Sequence, residues 1–276
     1  MSTNQQRREA AKRKLERQQQ RRVRREVRRK RTTQIVAAIV AIVVVAGLGL
    51  LSIGAGGSGS RQGSAAGPTT APAGPCSFPA TPGEPASRPV SAPTDSNPPR
   101  QGSVAATVTT NQGVLPVTLD RAKAPCTVES FVHLAQAGFF TNTPCHRLVT
   151  EGSLKVLQCG DPTGSGMGGP GYSVPDEPPS GLRPGPGGAS IYPAGTLAMA
   201  KGNAPNSGGS QFFLVYADSM LPPEYTIFGT VAPQGLQVLQ KVAAAGDDGS
   251  MDETAGGGKP KLPTTITSVA VGAQSS

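Results

Sequence analysis

The chain has no tryptophan and only two histidines, His133 and His146, among 276 residues. Its four cysteines, Cys76, Cys126, Cys145 and Cys159, are spaced in no zinc-binding pattern, so no metal centre is expected. There is no Gly-Lys-Ser/Thr phosphate-binding signature. The match to G-x-G-x-x-G at residues 164–169 runs into Pro170 and Gly171 where a phosphate site needs a helix N-terminus. That stretch reads as a flexible surface loop. There is no internal repeat, and no cofactor is implied.

A net basic balance is also absent from most of the chain. Residues 1–31 hold 14 Lys+Arg against 3 acids, a net of +11 in a total of +9, which leaves −2 for everything after Arg31. The folded part therefore gives no electrostatic reason to expect nucleic acid. Residues 1–34 read as a basic arm, expected to be partly helical and attracted to anionic inner-leaflet lipid. Residues 35–53 are 19 uncharged, mostly aliphatic positions. At about 1.5 Å per residue they span a hydrocarbon core of about 30 Å. The long basic lead and the lack of a clean A-x-A cleavage site directly after the span favour an uncleaved transmembrane signal anchor. The cluster Arg28-Arg29-Lys30-Arg31 places the N-terminus in the cytoplasm and all that follows the span outside the membrane. The expected location is thus a single-pass cell-membrane protein with an extracytoplasmic domain.

Residues 54–102 are rich in Gly, Ser, Ala, Pro and Thr and carry no sustained periodicity, so they read as a disordered linker. Cys76-Ser77-Phe78 interrupts it with the only cysteine and aromatic in the stretch. The folded domain is expected over residues 103–276. Runs 104–109 and 114–119 flank Asn111-Gln112-Gly113 and read as a β-hairpin, with Pro116 requiring an edge or bulge. Thr127 is placed to cap a helix whose apolar positions Val128, Phe131, Val132, Leu134 and Ala135 share one face, closed by Gly138. Residues 156–159, 195–200, 211–216, 226–231 and 265–271 read as short strands, and 236–245 as a second helix. Many strands with two helices argue for a mainly β, closed barrel whose open ends the helices cover.

All four cysteines lie beyond the span, where oxidation is permitted. Four cysteines allow three pairings. Cys126 with Cys145 would close a loop of about 20 residues, worth roughly 3 kcal/mol on the chain-entropy model. That pairing, with Cys76 to Cys159 as the remainder, is the expectation. Cys145 as a nucleophile beside His146 is disfavoured, because strand neighbours point to opposite faces.

Cys145-His146-Arg147-Leu148, Val156-Leu157-Gln158-Cys159-Gly160-Asp161, Leu197-Ala198-Met199-Ala200, Gly209-Ser210-Gln211-Phe212-Phe213-Leu214 and Phe228-Gly229-Thr230-Val231 follow one another as in the cyclophilins, and the chain resembles that family. With its anchor and linker it is most similar to a membrane-anchored bacterial, actinobacterial-like B-type member. The resemblance covers about 170 residues. It implies an eight-stranded antiparallel barrel capped by two helices and peptidyl-prolyl cis-trans isomerase activity, here on exported proteins. The implied catalytic residues are Arg147, Gln158 and Phe213, with Phe212 facing the core. The implied substrate-binding residues are Val156, Ala200, Lys201, Gln211, Met220, Leu221 and Tyr225. His146 is implied to be structural. Lys155 and Val156 stand where the family often has Phe and Met, so an aromatic pocket wall is missing unless Leu154 or Leu157 replaces it. Met220 and Tyr225 stand where cyclosporin-sensitive members carry Trp and His, which implies weak cyclosporin binding. The implied partners are proline-containing polypeptides. A non-catalytic proline-peptide binding or scaffolding module at the membrane is the alternative.

Overall fold

A computed structural model describes residues 74–272. The expected basic arm, the membrane anchor and the first part of the linker, through residue 73, lie outside the described residues. Among the described residues no helix is long and apolar enough to cross a membrane.

The chain begins its sheet with β1 (Ser103–Thr110) and β2 (Gly113–Asp120), paired in register from Ser103 opposite Asp120 to Thr110 opposite Gly113. Asn111 and Gln112 form the turn, and Gly113 takes φ +145°. Both strands alternate buried and open positions, as one solvated face demands. Pro116 lies opposite Thr107, one residue past the stretch of β2 that pairs with β11, so its missing N–H costs no bond there.

Helix α1 (Pro125–Gln136) follows. Thr127 is not its cap: Ala124 holds that position and makes no side-chain bond. The orphan N–H groups of Cys126 and Thr127 donate instead to the carboxylate of Glu177, at 3.0 and 2.9 Å, and the Thr127 hydroxyl joins them at 2.7 Å. No local pattern signals a cap supplied from 50 residues away.

After α1 come β3 (Thr143–Pro144), β4 (Arg147–Val149), β5 (Val156–Cys159), β6 (Arg183–Pro184), β7 (Ser190–Tyr192), β8 (Thr196–Met199), β9 (Phe212–Val215), β10 (Ser219–Leu221) and β11 (Ile227–Val231). Helix α2 (Pro233–Ala244) and β12 (Thr265–Val271) complete the domain. Nine strands form one sheet in the order β3-β12-β1-β2-β11-β8-β9-β5-β4, and β10-β7-β6 form a second. The expected closed eight-stranded barrel is therefore corrected to a curled, open sheet with two helices. Its terminal strands β3 and β4 are separated by only Cys145 and His146, so the sheet's ends meet through the chain and not through a ladder of hydrogen bonds.

One face of the sheet carries the main core, in which Phe131 of α1 stands 5.1, 5.5 and 5.3 Å from the rings of Phe140, Phe212 and Phe228. The opposite face carries a second apolar cluster of Val149, Val156, Tyr192, Ala198, Phe213 and Val215. Strict alternation divides each strand between the two, so Leu157, Cys159, Phe212 and Leu214 point one way and Val156, Gln158, Phe213 and Val215 the other.

The disulfides correct the expected pairing. Cys76 bonds Cys126 and Cys145 bonds Cys159. The β4–β5 register places Arg147 opposite Gln158, which brings Cys159 beside the segment just before β4, and Cys126 is taken by the chain that precedes the sheet. That chain, residues 74–102, was expected to be linker. Instead Cys76 is buried, Phe78 packs edge-on against Tyr172 at 6.0 Å, and Ala80 bridges to Tyr172 as a β-pair. Proline-rich composition obscures this because the strap draws its partners from the domain and has no periodicity of its own.

Candidate active site

Register assembles the site. Arg147 is opposite Gln158, Gln158 opposite Phe213, and Phe213 opposite Ala198 across β4, β5, β9 and β8. Directly opposed residues share a face, so an arginine, an amide and an aromatic ring form one row. Gln211 precedes Phe213 by two positions and joins the same side.

The Arg147 guanidinium is fixed by three acceptors. Nε donates to the Gly256 carbonyl at 3.0 Å, one terminal nitrogen donates to Gln158 Oε1 at 3.1 Å, and the other donates to the Ala255 carbonyl. With three of five N–H groups so engaged, two remain for a ligand. Burial lowers its pKa, yet a guanidinium stays protonated. Gln158 Nε2 donates to Gln211 Oε1 at 2.9 Å, and Gln211 Nε2 donates to the carbonyls of Gly166 and Gly168 at 2.9 and 3.0 Å. The relay orients all three side chains and leaves one Gln158 N–H for an incoming carbonyl.

The loop carrying those glycine carbonyls is held by Asp161, which is fully buried. Its carboxylate accepts from Thr163 N and Oγ1, Ser165 Oγ and Gly166 N. Burial pushes its pKa up, but hydrogen bonds from Thr163, Gly168 and Gly166 outweigh this and take it down to about 2. The loop expected to be flexible is thus tied at several points. Asp161 is a positioning residue that the motif contained without announcing its role.

Phe213 is 6 % exposed and meets the Tyr225 ring edge-on at 5.7 Å. Val156, Leu154, Ala200, Leu221 and Tyr225 belong to its cluster. Leu154, one of the two candidate replacements for the aromatic wall, packs against this cluster, whereas Leu157 faces the main core. Lys155 turns away, its ammonium donating to the Thr150 carbonyl. Met220 does not join the cluster and is 37 % exposed, because alternation in β10 sends Leu221 inward instead. Lys201 lies beside the row, its Nζ 2.9 Å from Asp176, whose hydrogen bond raises the ammonium pKa. His146 is buried, its pKa lowered first by burial and its Nδ1 without a hydrogen-bond partner among the described residues. A groove of about 660 Å³ adjoins the row, lined among others by Gln158, Gln211, Ala200, Gly166 and Gly168. No group of three or more His, Cys, Asp or Glu side chains among the described residues could hold a metal ion.

The sequence model of the family "Cyclophilin type peptidyl-prolyl cis-trans isomerase/CLD" matches residues 105–271. The chain belongs to the cyclophilin family. This cyclophilin is 48% identical over 199 residues to the "Probable peptidyl-prolyl cis-trans isomerase B" of Mycobacterium tuberculosis (strain ATCC 25618 / H37Rv), covering 70% of this chain and 63% of that protein. The protein of the same name from Mycobacterium leprae (strain TN) is 48% identical over 184 residues, covering 62% and 60%. The chain thus spans less than two thirds of the length of these relatives. A "Peptidyl-prolyl cis-trans isomerase" of Helicobacter pylori is 36% identical over 139 residues, covering 50% of this cyclophilin and 78% of that protein. Among solved structures, a Cryptosporidium parvum cyclophilin type peptidyl-prolyl cis-trans isomerase aligns with a TM-score of 0.49 and 27% identity, over 62% of this chain and 98% of that one.

Proposed function

We propose that this cyclophilin accelerates rotation about Xaa-Pro peptide bonds. Amide resonance opposes that rotation with a barrier of about 18–20 kcal/mol, and the uncatalysed exchange takes about 10–100 s. No nucleophile is needed. As the bond twists, the proline nitrogen loses its delocalisation and becomes a hydrogen-bond acceptor, and a cation fixed beside it lowers the barrier because it binds the twisted state more strongly than either planar one. The Phe213 cluster takes the pyrrolidine ring, Arg147 supplies its two free N–H groups to the twisting amide, and Gln158 holds a neighbouring carbonyl.

The observation that carries this reading is the Arg147–Gln158–Phe213 row, in which a guanidinium held by main-chain carbonyls stands beside an apolar ring pocket. The test is cis-to-trans relaxation of an Xaa-Pro peptide, read by NMR exchange with the full chain and with Arg147→Ala. Acceleration that collapses in the variant supports the reading. Peptide binding with relaxation left at the uncatalysed rate overturns it in favour of a binding module.

The same reading assigns exported polypeptides as substrates and an extracytoplasmic membrane-tethered position. The uncharged stretch 35–53 behind a basic arm supports that topology, as does the pairing of all four cysteines. The basic arm would then meet anionic lipid.

A further inference from the structure

Residues 81–84 of the N-terminal strap form part of the groove wall beside the catalytic row, and the chain around them is bonded to the facing loop. Ser173 N donates to Pro79 O at 2.9 Å, Thr81 N to Gly171 O at 2.9 Å, Ser87 N to Gly169 O at 2.8 Å, and Gly169 N to Ser87 Oγ at 2.9 Å. The approach is close enough to dictate glycine in the facing loop. A Cβ at Gly171, where φ is +79°, would stand 2.8 Å from Ala86 N, and one at Gly168 would stand 2.0 Å from Asp161 Oδ1 and 2.4 Å from Ser87 Oγ. Farther along, the disulfide to Cys126 and the bond from Arg88 to the Phe139 carbonyl at 2.7 Å fasten the strap to the domain. Between its attachments at Thr81 and Ser87 the strap projects Thr81, Pro82, Gly83 and Glu84 onto the groove.

Charge in that groove is sparse. Glu84 and Lys201 are the charged residues of its lining. The Lys201 ammonium is matched by the Asp176 carboxylate at 2.9 Å. Glu84 takes part in no ion pair among the described residues. Its main-chain oxygen accepts from the Thr81 hydroxyl at 3.1 Å, which fixes the turn and leaves the carboxylate exposed. Within the groove lining, Glu84 is therefore the charge left without an ion partner among the described residues, while the Arg147 guanidinium adjoins Gln158 outside that lining.

We propose that the strap is a specificity element and that Glu84 makes this cyclophilin favour Xaa-Pro peptides with a lysine or arginine close to the proline. The inference rests on the isomerase reading and names the substrate class for that site. An exposed charge in water gives a modest selection, and exchanging Lys for Glu in the peptide reverses its sign, so the Lys-to-Glu preference is roughly twofold to tenfold.

The experiment uses the full chain and peptides that differ only in Lys, Ala or Glu at each of the two positions on either side of proline. kcat/KM for cis-to-trans relaxation and Kd by calorimetry are both read, each normalised to the alanine peptide. At one flanking position the Lys-to-Glu ratio should exceed one, shrink in high salt, fall to near one in Glu84→Gln and invert in Glu84→Lys. A ratio that ignores residue 84 in both readouts overturns the proposal while leaving any measured isomerase activity standing. A Kd ratio that follows residue 84 without acceleration of any peptide supports the strap as a selector and overturns the isomerase reading alone.

Discussion

Arg147 donates to the side-chain oxygen of Gln158 at 3.1 Å from the directly opposite position on the neighbouring strand. The pair joins a guanidinium fixed by the loop at Ala255 and Gly256 to an amide relay ending at the loop that Asp161 holds. Each end depends on a separate stretch of chain, so perturbing either should be felt at the other.

Arg147→Ala should lower kcat/KM on an Xaa-Pro peptide by on the order of a hundredfold or more, the usual loss for a donor aimed at developing charge. Arg147→Lys should recover little, because a point ammonium cannot hold Gly256, Ala255 and Gln158 in a planar fork. Relaxation measured by NMR exchange checks both, and wild-type rates in the alanine variant would remove the guanidinium from the mechanism.

Gln158→Leu should reduce activity about tenfold and lower stability by about 1–3 kcal/mol, since it strands an Arg147 N–H and the Gln211 oxygen in a part-buried site. Urea unfolding alongside kinetics separates the two effects. A loss of stability with unchanged kcat/KM would make the relay a structural device only.

Burial lowers the His146 pKa in the folded chain below the ordinary value of 6.5 that it has when unfolded. As pH falls through that value the unfolded chain takes up a proton that the folded chain refuses, so this contribution to stability is full above pH 6.5 and declines below it. Unfolding midpoints between pH 7.5 and about 5 should fall, with a shallower slope in His146→Asn. Identical slopes would show that the ring becomes protonated without cost.

Non-reducing peptide mapping should recover Cys76 with Cys126 and Cys145 with Cys159. The first bond closes a separation of 50 residues, and Cys76→Ser with Cys126→Ser should cost about 4 kcal/mol on the chain-entropy estimate. Recovery of a Cys126–Cys145 peptide would contradict the strap's attachment.

Cyclosporin should bind weakly, in the micromolar range or above, because the chain has no indole and Met220 stands outside the Phe213 cluster. Calorimetric titration checks this, and low-nanomolar affinity would refute it.

What the sequence determined by itself is what lies in short, locally coded runs. Period-two patterning identified β1 and β2, the spacing of Phe131, Leu134 and Ala135 identified α1, and the motif around Phe213 separated the ring that faces the pocket from Phe212 in the core. Arg147, Gln158 and Phe213 were legible through the motifs that resemble the cyclophilin family, and strand register then sets them on one face. Tertiary structure alone decided which strands become neighbours, and with that the disulfide partners, the opening between β3 and β4, and the exclusion of Met220 from the pocket. It also decided the roles of Glu177, Asp161 and the strap. Each acts on backbone groups far away in sequence, and a hydrogen bond to a main-chain N–H or C=O leaves no mark on the identity of its partner. Composition made residues 74–102 look like linker because a strap stabilised by the domain's hydrogen bonds and a disulfide needs no hydrophobic period of its own.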